Sequence, residues 1–207
     1  IHLQRHCLMA IEKSKALKYA RWCVEPDNKQ APLYVKKQAQ AWIDIADGKD
    51  AEAYVDEKPY NKICKILKLM VHPDLRCSMY DGLEDYAWFL IVAVFCTKLK
   101  ADNNRYYTTA LLEIARKNFK TFNSAVIFII GMLTEPQFSR FFSVAPDLKL
   151  SKELQLAIKK IIKSSPMLCD EQEPAFKLLR SEVRCLLTES EFTPLAYSED
   201  RMDGKLA

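Results

Sequence analysis

The densest group of candidate phosphate ligands is a run of six consecutive residues: Arg116, Lys117, Asn118, Phe119, Lys120 and Thr121. A lysine followed by a threonine ends the phosphate-loop pattern GxxxxGK[ST], in which backbone amides and a helix N-terminus face the phosphates. The lysine brings a positive charge to the phosphates, and the hydroxyl binds magnesium. Lys120 and Thr121 are therefore candidates for these two roles.

The glycines of that pattern are missing, because their positions fall on Ile114 and Phe119. A side chain there brings atoms into the space that a phosphate must approach, and it disfavours a positive φ. On spacing alone, the run is more typical of a solvated turn that precedes a helix. The phosphate loop stays open as the alternative, and the neighbouring elements bear on it.

The segments on either side of the run predict a strand and a helix. Residues 106–114 are rich in β-branched and aromatic side chains, which predicts a buried strand. Residues 120–133 have helical length and a nearly continuous apolar surface, and residues 138–145 predict a second strand. Ser151 can cap the helix that follows. Alternating strands and helices predict an α/β fold with a parallel sheet.

The remainder of the second half predicts one more strand at residues 182–188, after a short segment at 175–179. A loop through Thr193 and Pro194 is expected to follow. The change of pattern near residue 100 is a plausible boundary between a helical first part and the sheet.

The first hundred residues predict helices that end at turn-forming residues. One helix closes at Gly48, which can adopt the left-handed cap conformation. A second apolar stripe, at residues 60–70, ends before Pro73 because proline disfavours helix in the preceding residue. Residues 81–82 predict a turn, and residues 83–97 are apolar nearly all round, which predicts a buried helix.

Composition limits the class of protein without naming a function. The chain has 207 residues, 49% of them hydrophobic, and a net charge of +4, as in an ordinary globular protein. Its seven scattered cysteines predict reduced thiols rather than a disulfide framework or a zinc site. No apolar run approaches the roughly 20 residues that cross a bilayer, and the first residues lack the apolar core of a signal peptide.

Several other side chains that could take part in chemistry are better explained by structural or solvent-exposed roles. Structural or exposed roles are expected for His2, His6 and His72, which lie in predicted helical or turn segments. Core packing is expected for five aromatic residues: Trp42, Trp88, Phe138, Phe141 and Phe142. Solvated helix faces are expected for five lysines that could otherwise contact DNA: Lys36, Lys37, Lys159, Lys160 and Lys163.

Five blocks, in their order and spacing, resemble the large terminase subunits of tailed phages. They are LEDYAWFLIVAVFCT at 83–97, LLEIARKNFKT at 111–121, FSRFFSVAPD at 138–147, SKEL at 151–154 and TPLAYSEDRMDGKL at 193–206. The resemblance covers the ATPase half of that family, from about residue 20 to the end. It favours the phosphate-loop interpretation of the run at 116–121.

The resemblance implies a P-loop NTPase-type parallel sheet flanked by helices, with a helical N-terminal extension. Residues 1–100 would form that helical region, including an adenine-side block, and residues 101–207 the first half of the ATPase core. The Walker B strand of the family is expected just after the DGKL ending of the last block. Because the chain stops at Ala207, the sheet is expected to be incomplete.

The resemblance also implies ATP and Mg²⁺ as cofactors. Lys120 would contact the β- and γ-phosphates, Thr121 would bind the magnesium ion, and Arg116 would stabilise developing charge on the γ-phosphate. In phosphoryl transfer, such charge stabilisation supplies most of the catalysis.

The remaining nucleotide contacts would come from the loop and from the adenine-side block. Lys117, Asn118 and Phe119 complete the loop, and Trp88 belongs to the adenine-side block. Phe119 stands where the loop of the family, RKNGKT, carries glycine, and Ala87 stands where a glutamine commonly recognises adenine. These changes and the missing Walker B strand predict weak ATP hydrolysis or none for this chain.

Two functions follow. The first is part of the ATPase motor that moves double-stranded DNA into procapsids, in a ring that works with the terminase small subunit and the portal protein in the host cytoplasm, away from membranes. The alternative is a degenerate or truncated prophage terminase fragment that acts only as a non-catalytic protein-interaction module.

Overall fold

The computed structural model describes residues 11–197, so the predictions for His2, His6, Cys7 and most of the 193–206 block lie outside it. Within that range the chain divides into two units. The first contains residues 11–64 and 83–111, and the second contains residues 65–82 and 112–197. The predicted boundary near residue 100 stays a prediction.

The first unit is mainly helical. Its elements are α1 (Lys15–Val24), α2 (Leu33–Ala46), β1 (Ala53–Val55), the first part of α3 (Glu57–Leu69), α5 (Asp85–Cys96) and β2 (Thr97–Leu99). The two strands pair antiparallel, from Ala53 opposite Leu99 to Val55 opposite Thr97.

Capping residues set the ends of these helices, as the sequence predicts for α2. The Ser14 side chain accepts a hydrogen bond from the Leu17 amide at the start of α1. Gly48 follows α2 with a φ of 74°, a left-handed conformation that glycine adopts without strain. The predicted core role of Trp42 is confirmed, because it is fully buried and its Nε1 donates to Thr97 Oγ1 at 3.0 Å.

The second unit combines helices with a four-stranded sheet. Its elements are the end of α3, α4 (Met79–Gly82), α6 (Lys120–Thr134), β3 (Arg140–Ala145), α7 (Leu148–Ser164), β4 (Phe176–Leu178), β5 (Val183–Cys185) and β6 (Ser190–Ala196). The α/β class, the helix at 120–133 and the strand at 138–145 are therefore confirmed.

The sheet is mixed rather than parallel, which corrects the predicted topology. Its order is β3-β6-β5-β4, and only β3 and β6 run parallel. The other two pairs are antiparallel, since short turns join β4 to β5 and β5 to β6. In the first of these turns the Leu179 amide donates to the Glu182 carbonyl at 3.0 Å.

Helices α6 and α7 pack on one face of this sheet. The Phe128 ring of α6 lies 6.1 Å from the ring of Phe141 and 5.0 Å from that of Phe192, each in an edge-on arrangement. Gly131 permits this close approach, because a Cβ there would lie 2.9 Å from a ring carbon of Phe141. The core of the unit therefore lies between the parallel strand pair and these two helices.

The predicted strand at residues 106–114 is wrong. Within the part of the chain that the structure describes, this stretch forms no strand, and Leu111 is 89% exposed. An isolated bridge joins Lys98 to Arg105, the residue directly before this stretch. Strand propensity expresses how well a side chain fits a half-buried sheet surface, and this stretch has no neighbouring strand along it.

Two predicted features near the sheet are also corrected. Helix α7 begins before Ser151, because the Asp147 side chain accepts the Leu150 amide at 2.8 Å and caps the helix. The predicted loop through Thr193 and Pro194 is strand β6. Proline is tolerated there because pairing with β5 ends at Phe192.

Core packing is wrong for one of the predicted aromatic residues. Phe138 is 71% exposed and precedes β3 in a left-handed conformation with a φ of 65°. Phe141 and Phe142 are only half-buried. The apolar run at 138–145 therefore contributes to the core mainly through Phe141, on the face that meets α6.

Candidate phosphate-binding site

The loop that precedes α6 contains two residues in left-handed conformations although it lacks glycine. Lys117 has a φ of 68°, and Phe119, with a φ of 55° and a ψ of 21°, is the N-cap residue of α6. The predicted obstacle to a positive φ at Phe119 is therefore overcome here, at a cost of about 1–2 kcal/mol per residue. Left-handed residues that alternate with right-handed ones turn successive amides toward one concave side, where anions bind.

The first amides of a helix have no partner within the helix, so those at the start of α6 are candidates for a ligand. The Asn123 amide donates to the Phe119 carbonyl at 2.8 Å, which closes the turn. In the part of the chain that the structure describes, the side chain of the N-cap residue Phe119 makes no hydrogen bond to these amides. The first turn of α6 contains no acidic residue. The N-terminus of a helix carries a partial positive charge, so this end favours an anion.

Three positively charged residues lie in the loop and at the first position of α6. Arg116, Lys117 and Lys120 are exposed, and among residues 11–197 none of them takes part in an ion pair. Thr121 is exposed beside Lys120, so its hydroxyl is accessible to a ligand. The structure thus places the loop residues in one exposed, positively charged turn at the start of α6.

The side chain of Phe119 occupies the margin of this turn. It is 55% exposed, and its ring lies edge-on to the ring of Phe122 at 6.4 Å between centroids. The substitution for glycine therefore adds an exposed aromatic ring next to the amides of the loop.

His72, which the sequence does not connect with the loop, packs against the same turn of α6. Its ring centroid lies 4.6 Å from that of Phe122, and the side chain is 6% exposed. The Nδ1 atom accepts the amides of Asp74 at 3.3 Å and Leu75 at 3.1 Å, so the imidazole is neutral. Burial lowers the pKa of His72, which also favours the neutral form. Its structural role agrees with the prediction, but no local pattern indicates that residue 72 meets residue 122.

Trp88 belongs to the first unit, whereas the loop belongs to the second. It is 1% exposed within the first unit, where the Lys15 Nζ atom stands 5.8 Å from the centroid of its ring. The predicted core role of Trp88 is confirmed. Its predicted contact with adenine stays a prediction.

The helices in residues 11–197 are all too short or too polar to cross a membrane. The six cysteines in that range are free, and three of them, Cys23, Cys96 and Cys185, are buried.

Comparison with known protein families matches residues 85–207 to the ATPase domain of the terminase large subunit. This range contains the loop, α6 and α7 and extends over more than half of the chain. Neither the curated proteins nor the solved structures contain a match.

Proposed function

Because the chain belongs to the family of terminase large subunit ATPase domains, we propose that its phosphate loop binds ATP with Mg²⁺ in a motor that packages phage DNA. The observation that carries this proposal is the backbone at Lys117 and Phe119, which takes left-handed conformations directly before an uncapped helix N-terminus.

Each loop residue has a distinct role in the proposal. Lys120 would place its positive charge beside the β- and γ-phosphates, and the Thr121 hydroxyl would hold the magnesium ion. A bound magnesium ion would supply neutralisation of phosphate charge. Arg116, three residues before the N-cap residue Phe119, is exposed, and it would turn toward the γ-phosphate to stabilise developing charge.

Phe119 sets the expected strength of binding. A glycine leaves the space above the loop amides open, whereas a phenylalanine puts ring atoms close to it. ATP binding is therefore expected to be weaker than in a glycine loop, and ATP hydrolysis slow.

The proposed partners follow from the packaging role. They are double-stranded DNA, the terminase small subunit, the portal protein and further copies of the large subunit in a ring, in the host cytoplasm. DNA would be contacted through the full-length protein.

Titration of the chain with ATP and Mg²⁺ tests the proposal. Lys120→Ala should weaken binding by about 10- to 100-fold, because a hydrogen bond to a charged group contributes roughly 1.5–3 kcal/mol. Lys149→Ala is the matched control, since Lys149 is an exposed lysine in the first turn of α7, a helix that Asp147 caps. Equal affinities in the wild type and Lys120→Ala, or no saturable binding, would show that the loop is not a nucleotide site.

The interaction-module alternative gives a different result in the same titration. If the wild type binds no ATP and Phe119→Gly restores binding that depends on Lys120, the chain is a degenerate descendant that retains the frame of the loop. Lysine-dependent binding in the wild type excludes that alternative.

A further inference from the structure

Residues 70–79 form a short antiparallel turn, here named the His72 hairpin. Val71 and Ser78 form a bridge, and the Met79 amide donates to the Met70 carbonyl at 2.7 Å. The His72 amide donates to the Cys77 carbonyl, and its carbonyl accepts the Arg76 amide, each at 2.9 Å. Together with the two amides that Nδ1 accepts, these bonds place His72 at the centre of the hairpin.

The His72 hairpin is attached to the C-terminal half of α7. The Val71 amide donates to Ser165 Oγ at 2.9 Å, just after the end of that helix. Lys160 Nζ lies 2.7 Å from Asp74 Oδ1 at the tip of the hairpin. The hairpin is thus held from one side by the helix that packs on the sheet.

The hairpin also contacts the first turn of α6, through the rings of His72 and Phe122. The His72 imidazole lies against Phe122, which is in the first turn of α6 and directly follows Thr121. The ring of Phe122 in turn lies beside that of Phe119. A displacement of Phe122 would therefore move the turn that presents Lys120 and Thr121.

On the basis of the proposed function of the loop, we infer that His72 is a positioning residue for nucleotide binding and acts through Phe122. The two parts of its side chain have separate tasks. Nδ1 organises the hairpin by accepting two amides, and the face of the ring fixes the first turn of α6. An aromatic contact of this kind is sensitive to the position of both rings.

Two substitutions separate these tasks. His72→Asn keeps an acceptor, since an asparagine oxygen accepts the amides two and three residues further along in turns, but it removes the ring. His72→Phe keeps a ring and removes the acceptor. Phe122→Leu removes the contact from the other side, and Asp74→Asn is the control that weakens the Lys160 attachment without changing either ring.

Hydrogen exchange of the full chain without nucleotide is the first measurement. His72→Asn and Phe122→Leu should each accelerate exchange of the Asn123 amide by about three- to tenfold, the loss of one aromatic contact. His72→Phe should instead expose the amides of residues 74 and 75 and change Asn123 less. The double variant His72→Asn/Phe122→Leu should exchange no faster than Phe122→Leu alone, because both remove the same contact.

ATP affinity is the second measurement. His72→Asn should raise the Kd for ATP by about the same factor as it accelerates exchange, and Asp74→Asn should leave the Kd nearly unchanged. Three results would overturn the inference. The Asn123 amide could exchange at the wild-type rate in His72→Asn, or the double variant could show the product of the two single effects. Exchange could also accelerate equally throughout β3 and β6. So would faster loop exchange with unaltered ATP affinity. If the wild type fails to bind ATP, the proposed function fails, while the exchange comparison still decides whether His72 positions the loop.

Discussion

At the scale of single residues, the left-handed phenylalanines are the most informative feature. Phe119 and Phe138 both have a positive φ and both are largely exposed, so burial does not explain why either side chain is held in this conformation. At Phe119 the conformation orients amides at the start of α6. At Phe138 the amide bonds the Thr188 carbonyl at 2.9 Å, which connects β3 to the turn before β6.

Phe119→Gly and Phe138→Gly should therefore stabilise the protein to a similar degree. Glycine relieves left-handed strain of about 1–2 kcal/mol and costs roughly 0.5–1 kcal/mol through the entropy of the unfolded chain, so a gain near 0.5–1 kcal/mol is expected. Urea unfolding measures that gain. Only Phe119→Gly should also tighten ATP binding, and an equal effect of Phe138→Gly on ATP would show that the loop is not its origin.

At the scale of elements, Ser151 connects α7 to both parallel strands. Its Oγ donates to the Ser143 carbonyl at 2.7 Å, lies 2.8 Å from Ser143 Oγ and accepts the Leu195 amide at 3.1 Å. Ser151 itself is buried, and its three contacts are part-buried. They fix the distance between α7, β3 and β6 with polar groups rather than with apolar packing alone.

Ser151→Ala should lower the free energy of unfolding by about 1–3 kcal/mol, because it leaves the Leu195 amide without its hydroxyl acceptor. The change is measured by urea unfolding followed by circular dichroism. Ser181→Ala is the control, since Ser181 is exposed in the turn between β4 and β5. A loss below a few tenths of a kcal/mol in Ser151→Ala would mean that the contacts contribute little.

Elements with a strong local pattern were predictable from the sequence, and those that depend on distant partners were not. Helix α6 and strand β3 follow from periodicity and composition. The strand expected at 106–114 fails because sheet formation needs a neighbour, and β6 was missed because Pro194 is typical of loops. In the site, the loop residues were found as one run, whereas His72 reaches Phe122 only through the tertiary fold.

At the scale of the whole molecule, the two units contain different spectroscopic reporters. All three tryptophans, Trp22, Trp42 and Trp88, belong to the first unit, and His72 belongs to the second. Tryptophan fluorescence therefore follows the first unit, while circular dichroism follows both. The two signals together can assign a change in stability to one unit.

Mild acid should destabilise the second unit through His72. Burial lowers the pKa of His72 below 6.5, so below about pH 6.5 the unfolded chain binds a proton that the folded chain excludes. Stability is then complete above that pH and falls as the pH drops toward the folded pKa, by at most about 1.4 kcal/mol per pH unit.

Urea unfolding at pH 7.5 and 5.5 measures this effect, with His72→Asn as the control that should lose the pH dependence seen by circular dichroism. The midpoint seen by tryptophan fluorescence should change less. A pH dependence that persists unchanged in His72→Asn would assign it to other groups.

The order of the units along the chain has a practical consequence for anyone who wishes to excise the ATPase domain. Residues 65–82 belong to the second unit but are separated from the rest of it by a stretch of the first. A fragment cut to the family boundaries, residues 85–207, would keep Lys120 and Thr121 and lose the imidazole that packs on Phe122. On the proposed roles of the loop and of His72, such a truncated protein would bind ATP more weakly than the intact chain.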